Sequence, residues 1–302
     1  MSNVWALITD EMSAAAVTGV ALRSGASVQA LVFGQADLAN RVATLGAAEV
    51  IWYSPEGVPP EAMAGSVAEQ AQDEKPLAVI ASDQATARSL LGAIAVATGA
   101  AVAGNVIAVD ATSNPICVEH LVADGEAVEV MEASGPVVCT ISDGLEEAEP
   151  VGAAPISEGS FNQDCRMKVV ATNAEGEGAA GLQHAERVVG VGLGIGAKEN
   201  LALVEELADA MGAEIACTLP LCDNYHWFEH NRVVGTSTQK ISPRLYLSFG
   251  SSGAPQHMTG VRASKVIAAV NNDPEAPIFR ECTYGIVGDV MKILPAFIAA
   301  LK

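Results

Sequence analysis

Small and polar residues follow two apolar segments near the end of the chain, where they could hold a ligand. The segment Leu245–Phe249 leads into Ser-Ser-Gly-Ala-Pro-Gln-His at 251–257, and the segment 266–270 leads into Asn-Asn-Asp-Pro at 271–274. Both apolar segments are predicted to be strands. Because the strand ends of a doubly wound sheet form the crevice that holds nucleotides, the pattern predicts a binding site for a nucleotide-like ligand.

A glycine-rich turn, Gly-Leu-Gly-Ile-Gly-Ala at 192–197, lies between a predicted strand, Arg187–Val191, and a predicted helix, 198–211. Backbone amides at such a turn can point at a phosphate, and the helix dipole favours its charge. A tight turn that needs glycine for steric reasons would give the same pattern. An NAD site would also need an acid at the end of the second strand. Glu214 lies before its predicted strand, which disfavours an NAD(P)-dependent dehydrogenase.

Three motifs in the last sixty residues stand in order. They are Ser-Gly-x-x-Gln-His at 252–257, Asn-x-Asp-Pro-x-Ala-Pro-Ile-Phe at 271–279 and Tyr-Gly-x-Val-Gly-Asp at 284–289. This arrangement closely resembles the electron-transfer flavoprotein alpha subunits, and in particular the bacterial alpha-like subunits of the carnitine, acyl-CoA or nitrogen-fixation type. The resemblance is firm over 187–302 and holds for the first domain only at the level of architecture.

The resemblance implies that the second domain binds FAD. Asn271 and Asp289 would contact its adenosine half, although both residue types also commonly cap turns and helices. The cofactor-binding residues that the resemblance implies are Leu193, Thr218, Leu219, Val234, Gly235, Thr236, Ser237, Ser252, Gly253, Ala254, Pro255, Gln256, His257, Asn271, Asp289 and Val290.

Two positions depart from the family pattern, because Leu193 and Leu219 stand where the family usually has arginines. By resemblance, the arginine at the second position sits beside the flavin ring and favours its anionic reduced states. A neutral leucine cannot do so, and we therefore expect a lower flavin potential. The alternative is that Tyr225, His226 or His230 supplies the missing dipole or charge.

No catalytic or metal-binding motif stands out in the sequence. His226 and His230 are spaced i, i+4, but no third ligand accompanies them, and the six cysteines contain no Cys-x-x-Cys pair. Nucleophile elbows, Walker sequences and catalytic carboxylate pairs are absent as well. We therefore expect no metal and no catalytic residue.

The chain alternates predicted strands and helices, which indicates βαβ units and parallel sheets. After Gly104 this alternation stops, and an antiparallel extension is expected at 106–109, 116–121, 127–131 and 137–142. A further strand is expected at 167–170 and a closing helical region at 284–301. The predicted fold class is α/β with two Rossmann-like domains, the second a doubly wound FAD-binding domain. The expected boundaries are 1–145 for an N-terminal α/β domain that by resemblance contacts the beta subunit, 146–184 for a connecting segment and 185–302 for the FAD-binding domain.

Composition excludes several classes of function. The net charge of −20, from 16 basic and 36 acidic residues, disfavours nucleic acid and anionic membranes, since both need a basic face. Half of the residues are hydrophobic but only 4% are aromatic, which suits parallel sheets covered by helices. No signal peptide and no membrane-spanning stretch is recognisable. The expected location is cytoplasmic.

The resemblance implies a heterodimer with an electron-transfer flavoprotein beta subunit. It would pass electrons between a flavin dehydrogenase or ferredoxin and an acyl-CoA dehydrogenase or quinone reductase, in fatty acid or acyl-CoA metabolism. The chain would then be an electron-carrier subunit and no enzyme by itself. The alternatives are a degenerate, flavin-poor structural subunit and, less favoured, an NAD(P)-dependent dehydrogenase.

Overall fold

The computed structural model describes residues 3–54, 57–162, 164, 166–171, 181–183 and 185–301. The chain divides into two compact units, Met1–Thr172 and Asn173–Lys302. Each unit has its own sheet and its own hydrophobic core, as expected for a chain of this length.

Strands and helices alternate in the first half of the first unit. The elements are β1 (Asn3–Ile8), α1 (Glu11–Arg23), β2 (Ser27–Phe33), α2 (Ala36–Ala43), β3 (Glu49–Tyr53), the 3₁₀ helix Pro60–Met63, α3 (Ala64–Glu74), β4 (Ala78–Ala81) and α4 (Ala85–Thr98). Asp10 caps α1, since its carboxylate accepts from the Ser13 amide at 2.8 Å, which satisfies a free donor of the first turn. Strands β4, β1, β2 and β3 lie side by side and parallel.

The second half of the first unit extends this sheet. It contains β5 (Ala101–Asp110), β6 (Ile116–Val122), the 3₁₀ helix Ala123–Gly125, β7 (Ala127–Ala133), β8 (Val137–Ile141) and β9 (Ile156–Glu158). Within the described residues the strand order is β7-β6-β5-β8-β4-β1-β2-β3-β9. The expected antiparallel extension is confirmed for β5, β6 and β7.

The expectation for 137–142 is wrong, because β8 is parallel to both β4 and β5 and lies between them. Its side chains are almost all buried, and a strand covered on both faces belongs in the middle of a parallel sheet.

The segment 146–184 overlaps the first unit. Strand β9 pairs in parallel with β3 at the edge of the sheet, and the Val151 and Ala154 amides donate to Thr44 and Ala43 carbonyls at 2.9 and 2.8 Å. Residues 167–170, expected as a strand, are not part of one. Residues 172–180 and 184 lie outside the described part of the chain.

The second unit is built on a parallel sheet. Its elements are β10 (Arg187–Val191), the 3₁₀ helices Leu193–Ile195 and Lys198–Asn200, α5 (Leu201–Met211), β11 (Glu214–Cys217), α6 (Leu219–Asp223), the 3₁₀ helix His230–Arg232, β12 (Leu245–Phe249), α7 (Pro255–Met258), β13 (Ile267–Asn271), α8 (Ile278–Glu281), β14 (Tyr284–Val287) and α9 (Val290–Leu301). Across the described residues the strand order is β11-β10-β12-β13-β14, with every pair parallel.

This sheet buries both of its faces. Along β10, Val189 and Val191 pack into the cluster that contains Leu207 of α5 and Leu294 of α9. Val188 points to the opposite face and joins the cluster of Tyr246, as the two-residue period of a strand requires. Each such buried aliphatic side chain contributes about 1.5–3 kcal/mol.

The closing region differs from the helix expected over 284–301, because Tyr284–Val287 is a strand that pairs with β13. The helix begins only at Val290. Among the described residues, no helix combines the length and apolar character needed to cross a membrane.

Candidate functional site

The second sheet changes direction between β10 and β12. The chain leaves β10 towards β11 on one side and continues through β12 to β14 on the other. In open α/β sheets, ligands bind outside the carboxyl ends of the strands at this switch point. A cavity of about 420 Å³ opens there, lined by Gly192, Leu193, Thr218, Leu219, Pro220, Val233, Val234, Gly235, Thr236, Ser237, Thr238, Gly250, Ser251, Ser252, Ala254, Gln256 and His257.

The turns that follow β10 and β12 pack directly on each other. The Gly194 amide donates to the Gly250 carbonyl at 2.9 Å. A Cβ atom on Gly194 would lie 2.6 Å from the Gly250 Cα, and Gly250 itself has φ +70°. Gly194 is therefore required by steric contact and Gly250 by backbone conformation. The steric requirement at Gly194 agrees with the second interpretation of the turn at 192–197.

The opposite wall of the cavity is made by the chain that follows β11. Leu219 begins α6, and the chain returns so that the Val234 amide donates to the Cys217 carbonyl at 3.1 Å. The Thr236 amide donates to the Gln256 carbonyl at 2.8 Å. These bonds hold the loop 233–238 between the end of β11 and α7.

His257 lines the cavity but is itself buried and fully engaged. Its Nδ1 lies 3.0 Å from the Val234 carbonyl and its Nε2 lies 2.9 Å from the Tyr246 hydroxyl. Since a carbonyl only accepts, Nδ1 carries the hydrogen and Nε2 accepts from the tyrosine. Burial lowers the pKa of His257, and the bond to Val234 only partly opposes this. The imidazole is therefore neutral at pH 7 and positions the loop.

None of the described residues that line the cavity carries a charged side chain. Leu193 and Leu219 remain 48% and 42% exposed, so their side chains form open walls of the cavity. Tyr225, His226 and His230, which could have supplied the missing charge, are not among the lining residues. The site can therefore bind a largely apolar ring system through its walls and hydrogen-bond polar edges through hydroxyl, amide and backbone groups.

Most of the residues implied by the sequence meet at this cavity. They are Leu193, Thr218, Leu219, Val234, Gly235, Thr236, Ser237, Ser252, Ala254, Gln256 and His257.

The remaining residues lie beside the cavity or have structural partners. Gly253 and Pro255 are neighbours of lining residues and are not among them. The side-chain Nδ2 of Asn271 donates to the Ser251 carbonyl at 2.8 Å, while its Oδ1 accepts from the backbone amide of Asp273. Asp289 accepts from the Met291 amide at 2.9 Å at the start of α9, and Val290 is buried. Asn271 and Asp289 thus make the capping contacts weighed above, and contact with a cofactor stays a prediction for the whole set.

Six lining residues were not among the cofactor-binding residues predicted from the sequence. Gly192 and Ser251 lie in the segments 192–197 and 251–257 that the sequence pattern already indicated, and Gly250 directly follows β12, so the strand-end rule covers all three. Val233 and Thr238 gave no local signal, because the fold-back of the chain after α6 brings them to the cavity, whereas Pro220 lies in α6 directly after Leu219. All six residues belong to the cavity lining given above.

Comparison with known proteins identifies the family of this fold and site. Residues 8–162 match the electron transfer flavoprotein domain, and residues 181–262 match the electron transfer flavoprotein FAD-binding domain. The chain belongs to the electron transfer flavoprotein family. The first match covers half of the chain, and the second contains every lining residue of the cavity.

Two curated relatives of this flavoprotein chain carry the name Protein FixB. The one from Escherichia coli O139:H28 (strain E24377A / ETEC) is 42% identical over 207 residues, which is 67% of this chain and 66% of the relative. The one from Escherichia coli O1:K1 / APEC is 42% identical over 208 residues, with the same coverage. The chain thus spans just under two thirds of the length of these relatives.

The cavity fits the FAD that the family domain binds. Its volume lies within the range of about 300–1,000 Å³ that is usual for cofactor sites. Backbone approaches closely at Gly194 and Gly250, and the leucine walls suit an isoalloxazine ring. Ser252 and Gln256 add polar groups for the ring edge or a phosphate.

Proposed function

We propose that this chain is the alpha subunit of a heterodimeric electron-transfer flavoprotein that binds FAD in the switch-point cavity. The observation that carries the proposal is the position of this cavity. It lies at the carboxyl ends of β10, β11 and β12, inside the segment that matches the FAD-binding domain. When bound, FAD supplies the redox chemistry, and the protein supplies position and electrostatics.

The residues of the cavity divide into three roles under this proposal. Leu193 and Leu219 form apolar walls, and neither carries a charge that would stabilise an anionic flavin. Ser252 and Gln256 offer hydrogen-bonding groups. Neutral His257 holds the loop at Val234 in place through its Nδ1–H.

The partners belong to the same proposal. The match of 8–162 to the electron transfer flavoprotein domain supports pairing of the first unit with a beta subunit. Electrons would pass between a flavin dehydrogenase or ferredoxin and an acyl-CoA dehydrogenase or quinone reductase. We also propose a cytoplasmic location, since cysteines such as Cys139 and Cys217 are free thiols, which persist in a reducing compartment.

The placement of FAD can be tested by blocking the cavity with a larger side chain. Leu219 and Ile286 are both 42% exposed aliphatic residues of the second unit, but only Leu219 lines the cavity. In titrations of the full chain with FAD, followed by flavin fluorescence, Leu219→Trp should weaken binding at least tenfold, and Ile286→Trp should leave it unchanged. Equal affinity in both variants would place the flavin elsewhere.

The carrier role needs a second measurement. The full chain is purified together with a beta subunit, and its visible spectrum is recorded before and after stepwise reduction. Flavin absorption that bleaches on reduction and returns on addition of an acyl-CoA dehydrogenase or a quinone reductase supports the proposal. A complex that stays colourless after addition of FAD would instead favour the flavin-poor structural subunit, which the uncharged cavity makes the second candidate.

A further inference from the structure

A cysteine, an aspartate and a histidine converge on the outer side of the loop that forms the cavity wall. Cys222 and Asp223 end α6, and His230 begins the following 3₁₀ helix. One ligand atom from each of the three side chains lies within 4.8 Å of the other two. The Cys222 Sγ is 4.0 Å from the His230 Nδ1. In the sequence, His226 and His230 have no third ligand beside them, whereas the fold brings His230, without His226, to Cys222 and Asp223.

Backbone hydrogen bonds fix the geometry of this cluster. The His226 amide donates to the Cys222 carbonyl at 3.0 Å, and the Trp227 amide donates to the Leu221 carbonyl at 2.9 Å. These bonds turn the chain back on α6 and bring His230 to Cys222. The three side chains are therefore held close together without any bound ion.

The electrostatics around the sulfur favour a cation. The carboxylates of Asp223 and Glu229 lie near the Cys222 sulfur. Arg232, the nearest arginine along the chain, is paired with Glu214. Negative charge thus accumulates around the sulfur, and a bound cation would offset it.

The donor set selects the kind of cation. A thiolate and an imidazole suit zinc, whereas magnesium and calcium prefer oxygen ligands only. Zinc–sulfur and zinc–nitrogen distances of about 2.3 and 2.0 Å place tetrahedral ligand atoms about 3.5 Å apart. Small side-chain rotations of Asp223 and His230 close the present separations, and both residues are exposed at the surface, so an ion can enter from solvent.

We propose that Cys222, Asp223 and His230 form a binding site for one Zn²⁺ ion, with water in the fourth position. The site is distinct from the flavin cavity, since none of the three residues lines it. The same segment carries Leu219 and Val233 into the cavity wall. A bound ion would therefore tie together the two ends of that wall.

The test uses the full chain, stripped of metal with a chelator and kept reduced, and Zn²⁺ as the probe. Zinc affinity is measured by competition with a chromophoric indicator. The wild-type chain should compete for zinc, and Asp223→Asn and His230→Gln should each weaken binding at least tenfold, since even the loss of a hydrogen-bond partner behind a ligand costs about 10–100-fold in affinity. Both side chains are exposed, so these two variants should keep the fold. Cys222 lies in a packed cluster, and the test does not depend on the stability of Cys222→Ser.

Two control variants replace residues of the same types, a histidine and a cysteine, at positions outside the cluster. His226→Gln removes the neighbouring histidine, and Cys282→Ser removes a partly exposed thiol of the same unit. Both should bind zinc as the wild type does. In the cobalt-loaded protein, the thiolate-to-metal absorption should persist in both controls and disappear in Cys222→Ser. Failure of the wild type to compete for zinc, or equal losses in the controls, would overturn the proposal.

Discussion

Leu219 offers a direct way to change the electrostatics of the cavity. Its side chain is 42% exposed at a wall where the lining residues that the structure describes are all uncharged. We predict that Leu219→Arg raises the midpoint potential of bound FAD, because a cation near the ring stabilises reduced, anionic flavin. At this half-exposed site the gain is about 1–2 kcal/mol, or about 20–40 mV for a two-electron couple.

Spectroelectrochemical titration of the holoprotein measures this change. Ile286→Arg, with equal exposure on β14 and outside the cavity, is the matched control and should leave the potential unchanged. An unchanged potential in Leu219→Arg would mean that Leu219 does not lie beside the flavin ring.

His257 should make the stability of the second unit depend on pH. Its folded pKa lies below the ordinary value because the ring is buried. The unfolded chain then binds a proton below about pH 6.5 that the folded chain excludes. The contribution of His257 to the free energy of unfolding is therefore fully present above about pH 6.5. It is lost as the pH falls, by up to about 1.4 kcal/mol per pH unit.

We predict that His257→Gln removes this component, so that urea unfolding at about pH 7 and about pH 5 differs less than in the wild type. His226→Gln, at an exposed position, should retain the wild-type dependence. Parallel pH profiles for wild type and His257→Gln would show that the histidine is not held neutral in the folded state.

At the scale of elements, the chain directly after the short strand β9 packs closely against the ring of Tyr53. A methyl group on Gly159 would lie 2.6 Å from the Tyr53 Cδ1. The Tyr53 ring is stacked on Phe33 at 4.7 Å and cannot easily move. We predict that Gly159→Ala destabilises the first unit by about 1–3 kcal/mol, as overpacking does, and releases the segment around β9.

Limited proteolysis should then cut near residues 146–162 in Gly159→Ala earlier than in the wild type. Gly135→Ala is the control, because no atom lies within 4 Å of its added methyl group. If both variants resist protease equally, β9 is held by contacts other than the one at Tyr53.

Sequence periodicity reveals elements whose signal is local. The βαβ alternation of the first 100 residues and the strands β10, β12 and β13 were predicted because an apolar segment followed by a polar turn is a short-range pattern. Strand β9 was missed, since three residues carry little pattern and its pairing partner, β3, lies about 100 residues earlier in the chain. Strand β14 was missed because all four of its residues are exposed.

The same distinction applies to the two sites of the second unit. Cavity residues in the polar segments that come after strands, such as Ser252, were found from the sequence. Val233 reaches the cavity through a fold-back, and Cys222 meets His230 only through the backbone bonds of that fold-back. Such contacts depend on tertiary structure and leave no spacing rule in the sequence.

At the scale of the whole molecule, the net charge of −20 should destabilise the folded state, because the acidic side chains repel one another. Raising NaCl from about 0.01 M to about 0.15 M shortens the Debye length from about 30 Å to about 8 Å. We predict that the melting temperature rises by about 2–4 °C, equivalent to about 1 kcal/mol. Scanning calorimetry with NaCl and with KCl should give equal shifts, whereas a constant melting temperature would mean that the acidic charges are already compensated.

The cavity sets different limits on mutation at neighbouring positions. Gly194 and Gly250 meet each other through backbone atoms, so a new side chain at either one requires movement of both turns. Leu193 and Leu219 are about half exposed at the cavity wall, so a change there costs less packing energy. Under the proposed placement of FAD, selection can therefore alter the charge beside the flavin one residue at a time while the scaffold stays constant, so that driving force can change without a change of fold.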